Sequence, residues 1–344
     1  MKVGIINVTG YAGAELARIL YRHPEVEIAS VTGRSAAGQK LGEFFPHLSD
    51  IDLTITEEVT ESVDVVFSAL PHAASAEKLE APLKDGVKVI DLSADFRLKN
   101  LDEYKEWYKI DHPCPQYIEE AVYGLTELHH DEIVSTNLVA VPGCYPSAAI
   151  LALAPAVKAG IIEPDIIVDA KSGVSGAGRG ASVTTNFSEV NENVSAYAVD
   201  GHRHLPEITQ ELGALDSSGN LKLTFLTHLI PMTRGILASC YAPLKEGAIA
   251  SGEAARGEVR ELYKSFYEDE PFANVVDTPP MTKHTLGNNK CVIFPMVDVR
   301  TNRLMVVSCL DNLVKGAAGQ AVQNMNLMFG FSEDEGLEQL ALYP

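Results

Sequence analysis

Short apolar or β-branched runs recur through the first third of the chain, at residues 3–6, 27–32, 64–70, 88–92 and 139–141. Between several of them the apolar positions take a helical spacing. Leu16, Ile19 and Leu20 share one face of a helix expected over 13–21, and a second is expected over 73–83. Strands that read as continuous apolar runs and alternate with helices predict a parallel, doubly wound α/β sheet. The texture changes near Glu163. Long β-rich runs follow at 166–171, 221–229, 236–244, 290–299 and 303–310, with one helix expected over 251–267. They predict a second, α+β domain built on a mixed or antiparallel sheet. A last helical run, 315–329, is expected to return to the first domain. The expected division is therefore 1–143 with 313–344, and 144–312.

Composition narrows the function classes. The 344 residues are 46% hydrophobic and 22% charged, ordinary for a globular protein, and no run approaches the roughly 18 apolar residues of a membrane helix. With no leader-like start, the expected location is the cytoplasm and no membrane partner is expected. The net charge is −20, which argues against nucleic acid, since that partner calls for a basic footprint. Five cysteines, odd in number and widely spaced, indicate neither a disulfide framework nor a zinc ribbon. Cys240, Cys291 and Cys309 sit in strand-like runs and read as core. His23, His129 and His130 read as exposed loop residues, and His228 as a hydrogen-bonded strand residue.

After the first strand the chain reads Asn7-Val8-Thr9-Gly10-Tyr11-Ala12-Gly13. Glycines there let a strand turn sharply into a helix whose N-terminal amides can receive a pyrophosphate. Thr9, Gly10, Tyr11, Ala12 and Gly13 are thus cofactor candidates, and the first domain reads as Rossmann-type. Asn7 stands where a first glycine is usual, although Asn tolerates unusual backbone angles. A glycine-rich turn that binds nothing fits the local pattern equally. The second strand ends in Thr32-Gly33-Arg34-Ser35, with no carboxylate for a ribose hydroxyl. Arg34, with Ser35, suits a 2′-phosphate and so favours NADP.

Cys144 follows a strand and Pro142-Gly143 and precedes an apolar helical run over 148–157, so it lies at a helix mouth. Such a position stabilises a thiolate and offers amides to an oxyanion. A buried cysteine at a strand end has the same local pattern. A base is available in Gly201-His202-Arg203-His204-Leu205-Pro206-Glu207, where the His-x-His spacing also suits a metal, but no further ligand cluster is near and none is expected. Ser172, Ser175 and Gly176 belong to a third loop, Lys171 to Gly180, rich in small residues and containing Arg179. That loop reads either as a close backbone approach to a ligand or as a flexible surface loop.

Together these segments resemble the N-acetyl-gamma-glutamyl-phosphate reductases, relatives of aspartate-semialdehyde dehydrogenase. The matching motifs are Gly10-Tyr11-Ala12-Gly13-Ala14-Glu15-Leu16, Ala69-Leu70-Pro71-His72, Asp91-Leu92-Ser93-Ala94-Asp95-Phe96-Arg97-Leu98, Tyr123-Gly124-Leu125, Pro142-Gly143-Cys144-Tyr145-Pro146, His202-Arg203-His204, Pro231-Met232-Thr233-Arg234-Gly235 and Asp311-Asn312-Leu313-Val314-Lys315-Gly316-Ala317-Ala318-Gly319-Gln320. Ser147 replaces a common Thr. The resemblance implies an NADP-dependent reductive dephosphorylation of a small acyl phosphate through a Cys144 thioester. It implies His204 as acid/base with His202 sharing or replacing it, and Glu207 as their orienter. Arg97, Ser147, Ser172 and Arg203 are expected at the substrate, and Ser175, Gly176, Asn312 and Gln320 at the cofactor. A homo-oligomer, dimer or tetramer, is implied as well. The rivals are a lysine-pathway reductase of a carrier-linked 2-aminoadipyl phosphate, which typically has Asn-Ala where Tyr145-Pro146 stands, aspartate-semialdehyde dehydrogenase itself, and a non-catalytic NADP-binding regulator.

Overall fold

The computed structural model describes residues 1–344, which form two compact units, Met1–Gly143 with Ala317–Gln339, and Cys144–Gly316 with Leu340–Pro344. The boundary expected before Leu313 falls instead before Ala317, because residues 313–316 pack within the second unit.

The first unit alternates β1 (Lys2–Ile6), α1 (Tyr11–Leu20), β2 (Glu27–Val31), a single turn α2 (Leu41–Phe44), β3 (Val65–Ser68), α3 (Ala76–Lys84), β4 (Lys88–Asp91), α4 (Leu101–Tyr108), β5 (Val122–Tyr123), α5 (Thr126–Ser135) and β6 (Leu138–Ala140). Its strands form one parallel sheet in the order β2-β1-β3-β4-β6-β5. The strand order reverses between β1 and β3, so the crevice at their C-terminal ends is the place where such sheets bind ligands. Leu16, Ile19 and Leu20 of α1 are fully buried, each contributing about 1.5–3 kcal/mol by removal from water. Val66, Leu79, Val89, Phe96, Ile118 and Leu138 build a core beside the sheet.

The second unit begins with α6 (Cys144–Lys158), followed by β7 (Asp165–Ser172), a one-turn α7 (Phe187–Val190), β8 (Ser195–Tyr197), α8 (Leu205–Leu215), β9 (Lys222–Leu229), β10 (Ile236–Pro243), α9 (Ala254–Phe266), β11 (Ala273–Val275), β12 (Cys291–Asp298) and β13 (Arg303–Leu310). The sheet is mixed, in the order β11-β12-β13-β10-β7-β9-β8. Helix α6 is buried on nearly every side. Its internal Pro155 has no N–H for the carbonyl four residues earlier. Tyr267 Oη donates to that carbonyl, Leu151 O, at 2.7 Å, and Tyr263 Oη donates to Ala152 O at 2.8 Å. The carbonyl left without its helical partner is thus satisfied by the residue that follows α9, and Tyr263 of α9 bonds the next one. Ser308 Oγ fixes the N-terminal half of α6 by donating to Ala148 O at 2.8 Å.

The expected helix over 315–329 is two structures. A π-helical segment, Val314–Ala318, runs across the division between Gly316 and Ala317, and α10 (Gly319–Phe329) packs with α1 and α5 of the first unit. Cys240, Cys291 and Cys309 are core residues, as expected, and none of the five cysteines is in a disulfide. His23 is not exposed: it is 3% accessible, with its Nε2 and Asn326 Oδ1 2.9 Å apart. His129 and His130 lie within α5 rather than in a loop. No helix is long and apolar enough to cross a membrane.

Candidate active site

In the first unit, the turn after β1 is built around Asn7. Its φ is +65°, the left-handed conformation that a glycine would normally supply. The side chain compensates for the missing glycine. Asn7 Nδ2 donates to Ala69 O at 2.8 Å, and Asn7 Oδ1 accepts from Thr9 Oγ1 at 3.2 Å, so the residue ties the β1 turn to the end of β3. Gly10 is the residue before α1, and the first helical turn has no carboxylate. Gly13 permits the helix to lie on the strand end, since a Cβ there would sit 2.4 Å from Asn7 O. Tyr11, Arg34 and Ser35 are exposed. Gly33 packs against Thr9, where a Cβ would meet Thr9 Cγ2 at 2.7 Å. The turn and the tip of β2 are therefore one surface, with a helix N-terminus and a guanidinium on it. These residues fit a nicotinamide dinucleotide.

The ends of β3 and β4 are joined by a buried polar network that sequence reading did not single out. Asp95 accepts from Ala73 N, Ser75 N, Ala76 N and Tyr104 Oη at 2.7–3.2 Å, which supplies the free amides that open α3. Asp91 accepts from Ser75 Oγ, Ser93 N and Ser93 Oγ at 2.6–3.0 Å. Burial, reinforced by the neighbouring Asp95, pushes the Asp91 carboxyl up to about 6. Both carboxylates lie in the Asp91 to Leu98 motif, which was the available signal.

Arg97 and Gln320 occupy interior positions. Arg97 is buried, its Nε donating to Val141 O at 2.7 Å and its Nη2 to Leu92 O at 2.9 Å. It holds the chain that leads to Cys144. Gln320 is fully buried in α10, donating through Nε2 to Gly124 O at 2.9 Å, and Asn324 Nδ2 donates to the same carbonyl at 2.8 Å. A Cβ at Gly124 would lie 2.6 Å from Val139 Cγ1, so that motif glycine is needed for close packing.

In the second unit, Cys144 is the first residue of α6 and is partly accessible, whereas Ser147, one turn on, is fully buried. Tyr145 turns toward the His-x-His loop: its ring centroid is 5.5 Å from that of His202 and 6.0 Å from that of His204. The two imidazoles are 4.7 Å apart. Tyr197 and Phe225 complete the wall around His202, at 5.6 and 5.5 Å. Tyr197 Oη donates to Tyr145 Oη at 3.0 Å, and Tyr145 Oη to His228 O at 3.3 Å, so a chain of hydroxyls fixes both rings to β9. Burial above all, with the Cys144 charge adding to it and hydrogen bonds to Tyr145 and Thr227 opposing it, pushes the Tyr197 phenol up to about 12. Tyr145 moves the same way for the same leading reason. Tyr197 had no local signal in the sequence; only its pairing with Tyr145 reveals it.

A hydrogen bond fixes which ring nitrogen of His202 accepts. Its Nδ1 accepts the His204 backbone N–H at 3.1 Å, which leaves the ring proton on Nε2. Burial, with the Arg203 charge second, pushes its pKa down to about 4. Arg203 itself is exposed, and His204 is half-buried at the N-cap of α8. Glu207 is buried in the first turn of α8, where the helix dipole favours its charge.

The third loop meets the residue pair at the end of β13. Asn312 Nδ2 donates to Ser175 Oγ at 2.9 Å, and Asn312 Oδ1 accepts from Gly235 N at 2.7 Å. A Cβ on Gly176 would lie 3.3 Å from Ser172 Oγ and 3.7 Å from Asn312 Nδ2. Ser172, Ser175, Gly176 and Asn312 thus converge. Gly173 is pressed against Thr233, whose carbonyl oxygen a Cβ would approach to 2.7 Å. The loop is laced to 232–235 by backbone bonds from Val174 and Ser175 and is no loose surface segment at this end.

Comparison with known proteins agrees with both units. Residues 2–136 match the family model described as semialdehyde dehydrogenase, NAD binding domain, and 144–312 match semialdehyde dehydrogenase, dimerisation domain. An N-acetyl-gamma-glutamyl-phosphate reductase of Dehalococcoides mccartyi is 54% identical over 343 residues, covering 100% of this chain and 99% of that one. The enzyme of the same name from Heliobacterium modesticaldum is 46% identical over 355 residues, with complete coverage of both chains. Among solved structures, aspartate semialdehyde dehydrogenase II of Vibrio cholerae superposes with a TM-score of 0.69 at 17% identity, covering 96% of this chain and 98% of that one. The Candida albicans aspartate semialdehyde dehydrogenase solved with NADP gives 0.69 at 16%, covering 95% and 98%. The structural likeness speaks for the fold, and the full-length sequence identity for the narrower group: the chain belongs to the N-acetyl-gamma-glutamyl-phosphate reductase family.

Proposed function

We propose that this protein is an NADP-dependent reductase that converts N-acetyl-L-glutamyl 5-phosphate to N-acetyl-L-glutamate 5-semialdehyde and phosphate, through a thioester on Cys144. The observation that carries this reading is a partly accessible cysteine at the first residue of a buried helix, beside a tyrosine that packs on two histidines. The amides of the first turn of α6 stabilise the thiolate and are suited to receive the carbonyl oxygen as it becomes an oxyanion. Sγ attacks the acyl carbon, the C–O bond to phosphate breaks, and phosphate leaves with its bonding pair. NADPH, when bound, supplies the hydride that reduces the resulting thioester. The tetrahedral centre on Cys144 then collapses, expelling the thiolate and releasing the aldehyde. His204 is assigned the proton transfers at the carbonyl oxygen. His202, neutral and with both ring nitrogens assigned, holds the loop that presents His204. Arg203, exposed beside them, is assigned to an anionic group of the substrate.

The assignment of NADP over NAD rests on Arg34 and on the absence of a carboxylate at the tip of β2. A second copy of the chain is the proposed partner. The face of the second unit's sheet opposite α6, α8 and α9 carries Ile167, Leu226, Tyr241, Phe294, Met296 and Met305, which alternate with buried residues along their strands yet are only half-buried or exposed. An apolar sheet face of this kind is suited to bury itself against its own copy about a two-fold axis. Met305→Asp would then shift the protein toward monomer in sedimentation analysis.

Phosphate-dependent reduction of NADP by N-acetylglutamate 5-semialdehyde tests the chemical reading. Turnover that requires phosphate is the expected result. No turnover with this aldehyde, but turnover with a carrier-linked one, would transfer the protein to the lysine-pathway reductases.

A further inference from the structure

Gly316 stands in the π-helical segment Val314–Ala318, and π-segments are an uncommon and often functional departure from the α-helix. Its φ is not in the left-handed region, so backbone freedom does not explain a glycine here. Space does. A Cβ at Gly316 would lie 2.7 Å from Cys144 Cβ, 3.2 Å from Cys144 Cα and 3.2 Å from Leu310 Cδ1. The first of these distances is one that Cβ atoms do not adopt, and both Cys144 atoms are too close to the backbone to swing aside.

The segment is held where it is. Gly316 N donates to Asp311 O at 2.9 Å. Asp311 is fully buried, accepting from Leu313 N at 2.9 Å and Gly287 N at 2.8 Å, with Arg234 Nη1 3.5 Å from Oδ2. On the other side, Ser308 Oγ ties α6 to β13 through Ala148 O. Cys144 and Gly316 are therefore pressed together by two elements that are both tied to the end of β13, α6 through Ser308 and the π-segment through Asp311.

We infer that Gly316 is a positioning residue for Cys144: its bare backbone forms a floor against Cα and Cβ of the nucleophile and limits the staggered positions open to Sγ. The inference rests on the reading of Cys144 as the nucleophile, but its direct test does not need the substrate. Iodoacetamide reports on Cys144 because the thiols of Cys240 and Cys309 are both pushed by burial up to about 12, Cys114 is likewise raised, and Cys291 is fully buried.

Gly316→Ala is expected to change the rate and pH profile of Cys144 alkylation. It should lower kcat by roughly 10²-fold, as displacements near 1 Å do, while the KM for NADPH stays within about twofold. A double-mutant cycle guards against misfolding as the explanation. Gly316→Ala should lower Tm less in a Cys144→Gly background, where the colliding Cβ is gone, than in the native one. An unchanged alkylation profile and kcat, or equal Tm losses in the two backgrounds, would overturn the inference. Altered alkylation in a protein with no acyl-phosphate reductase activity would sustain the positioning role and reject the proposed reaction instead.

Discussion

Replacing His202 with asparagine separates two roles that the His-x-His loop combines. Nδ1 of His202 accepts the His204 N–H at 3.1 Å, and an asparagine Oδ1 can take the same place. The substitution keeps the acceptor and removes any capacity to titrate. If His202 holds the loop and His204 moves the proton, His202→Asn should retain kcat within about threefold, while His204→Asn loses roughly 10²–10⁴-fold. His202→Ala removes the acceptor as well, costing about 1 kcal/mol for the lost hydrogen bond and more for the space left among Tyr145, Tyr197 and Phe225. Its kcat should fall below that of the asparagine variant. Steady-state reduction of NADP by the aldehyde, with saturating phosphate, measures all three. Linkage supplies an independent check. The folded-state pKa of His202 is depressed from 6.5 to about 4, so its contribution to stability is complete above about pH 6.5. That contribution, about 3 kcal/mol, is lost as pH falls toward 4 and should be missing from His202→Asn. A His202→Asn enzyme that lost activity a hundredfold, beside an active His204→Asn enzyme, would reverse the assignment.

Substitutions at three further positions test the first unit. Asp91 titrates in the folded protein near 6 rather than 3.8, so the stability it contributes is full below about pH 3.8 and falls by about 3 kcal/mol as pH rises through 6. Urea unfolding of Asp91→Asn should lack that decline, and parallel curves for the two proteins would discount the shift. Arg34→Ala should raise the KM for NADPH roughly tenfold or more with little effect on NADH, as expected for a lost charge-assisted contact to a phosphate; equal losses would remove Arg34 from the 2′-phosphate. At position 7, where φ is +65°, stability should follow Asn, then Gly, then Ala, because alanine loses the bond to Ala69 O and adds about 1–2 kcal/mol of left-handed strain. Thermal melts ranking Ala above Gly would show that the turn relaxes.

Five of the six strands of the parallel sheet were legible as short apolar or β-branched runs, most clearly β3, β4 and β6, which are buried along nearly their whole length, whereas β5 has two residues and left no run to read. The start of α6 was harder to see. Tyr145-Pro146-Ser147 reads as a turn, yet a proline in the first helical turn replaces an amide that needs no partner, and the helix begins at Cys144 itself. Strand β8 has three residues, too few for alternation to register, and it brings the unheralded Tyr197 to the site. His23 looked like a surface histidine because its partner Asn326 lies 303 residues away. The π-segment was hidden for a related reason: Val314-Lys315-Gly316-Ala317-Ala318 has ordinary helical composition, and only the approach of Cys144 distinguishes Gly316. Motifs singled out the candidate chemistry-bearing residues. What they did not contain is which atoms are already committed, as Asn312 is to Ser175 and Gly235, and Arg97 to the chain before Cys144.

Covalent capture on Cys144 tests the central claim most directly. Protein mixed with N-acetylglutamyl 5-phosphate in the absence of NADPH, quenched in acid and measured by intact mass, should gain one N-acetylglutamyl group. Peptide mapping should place it on Cys144, NADPH should discharge it, and Cys144→Ser should not acquire a dischargeable adduct. Turnover of the acyl phosphate with no such adduct, or an adduct on another residue that NADPH discharges, would contradict a thioester at the mouth of α6.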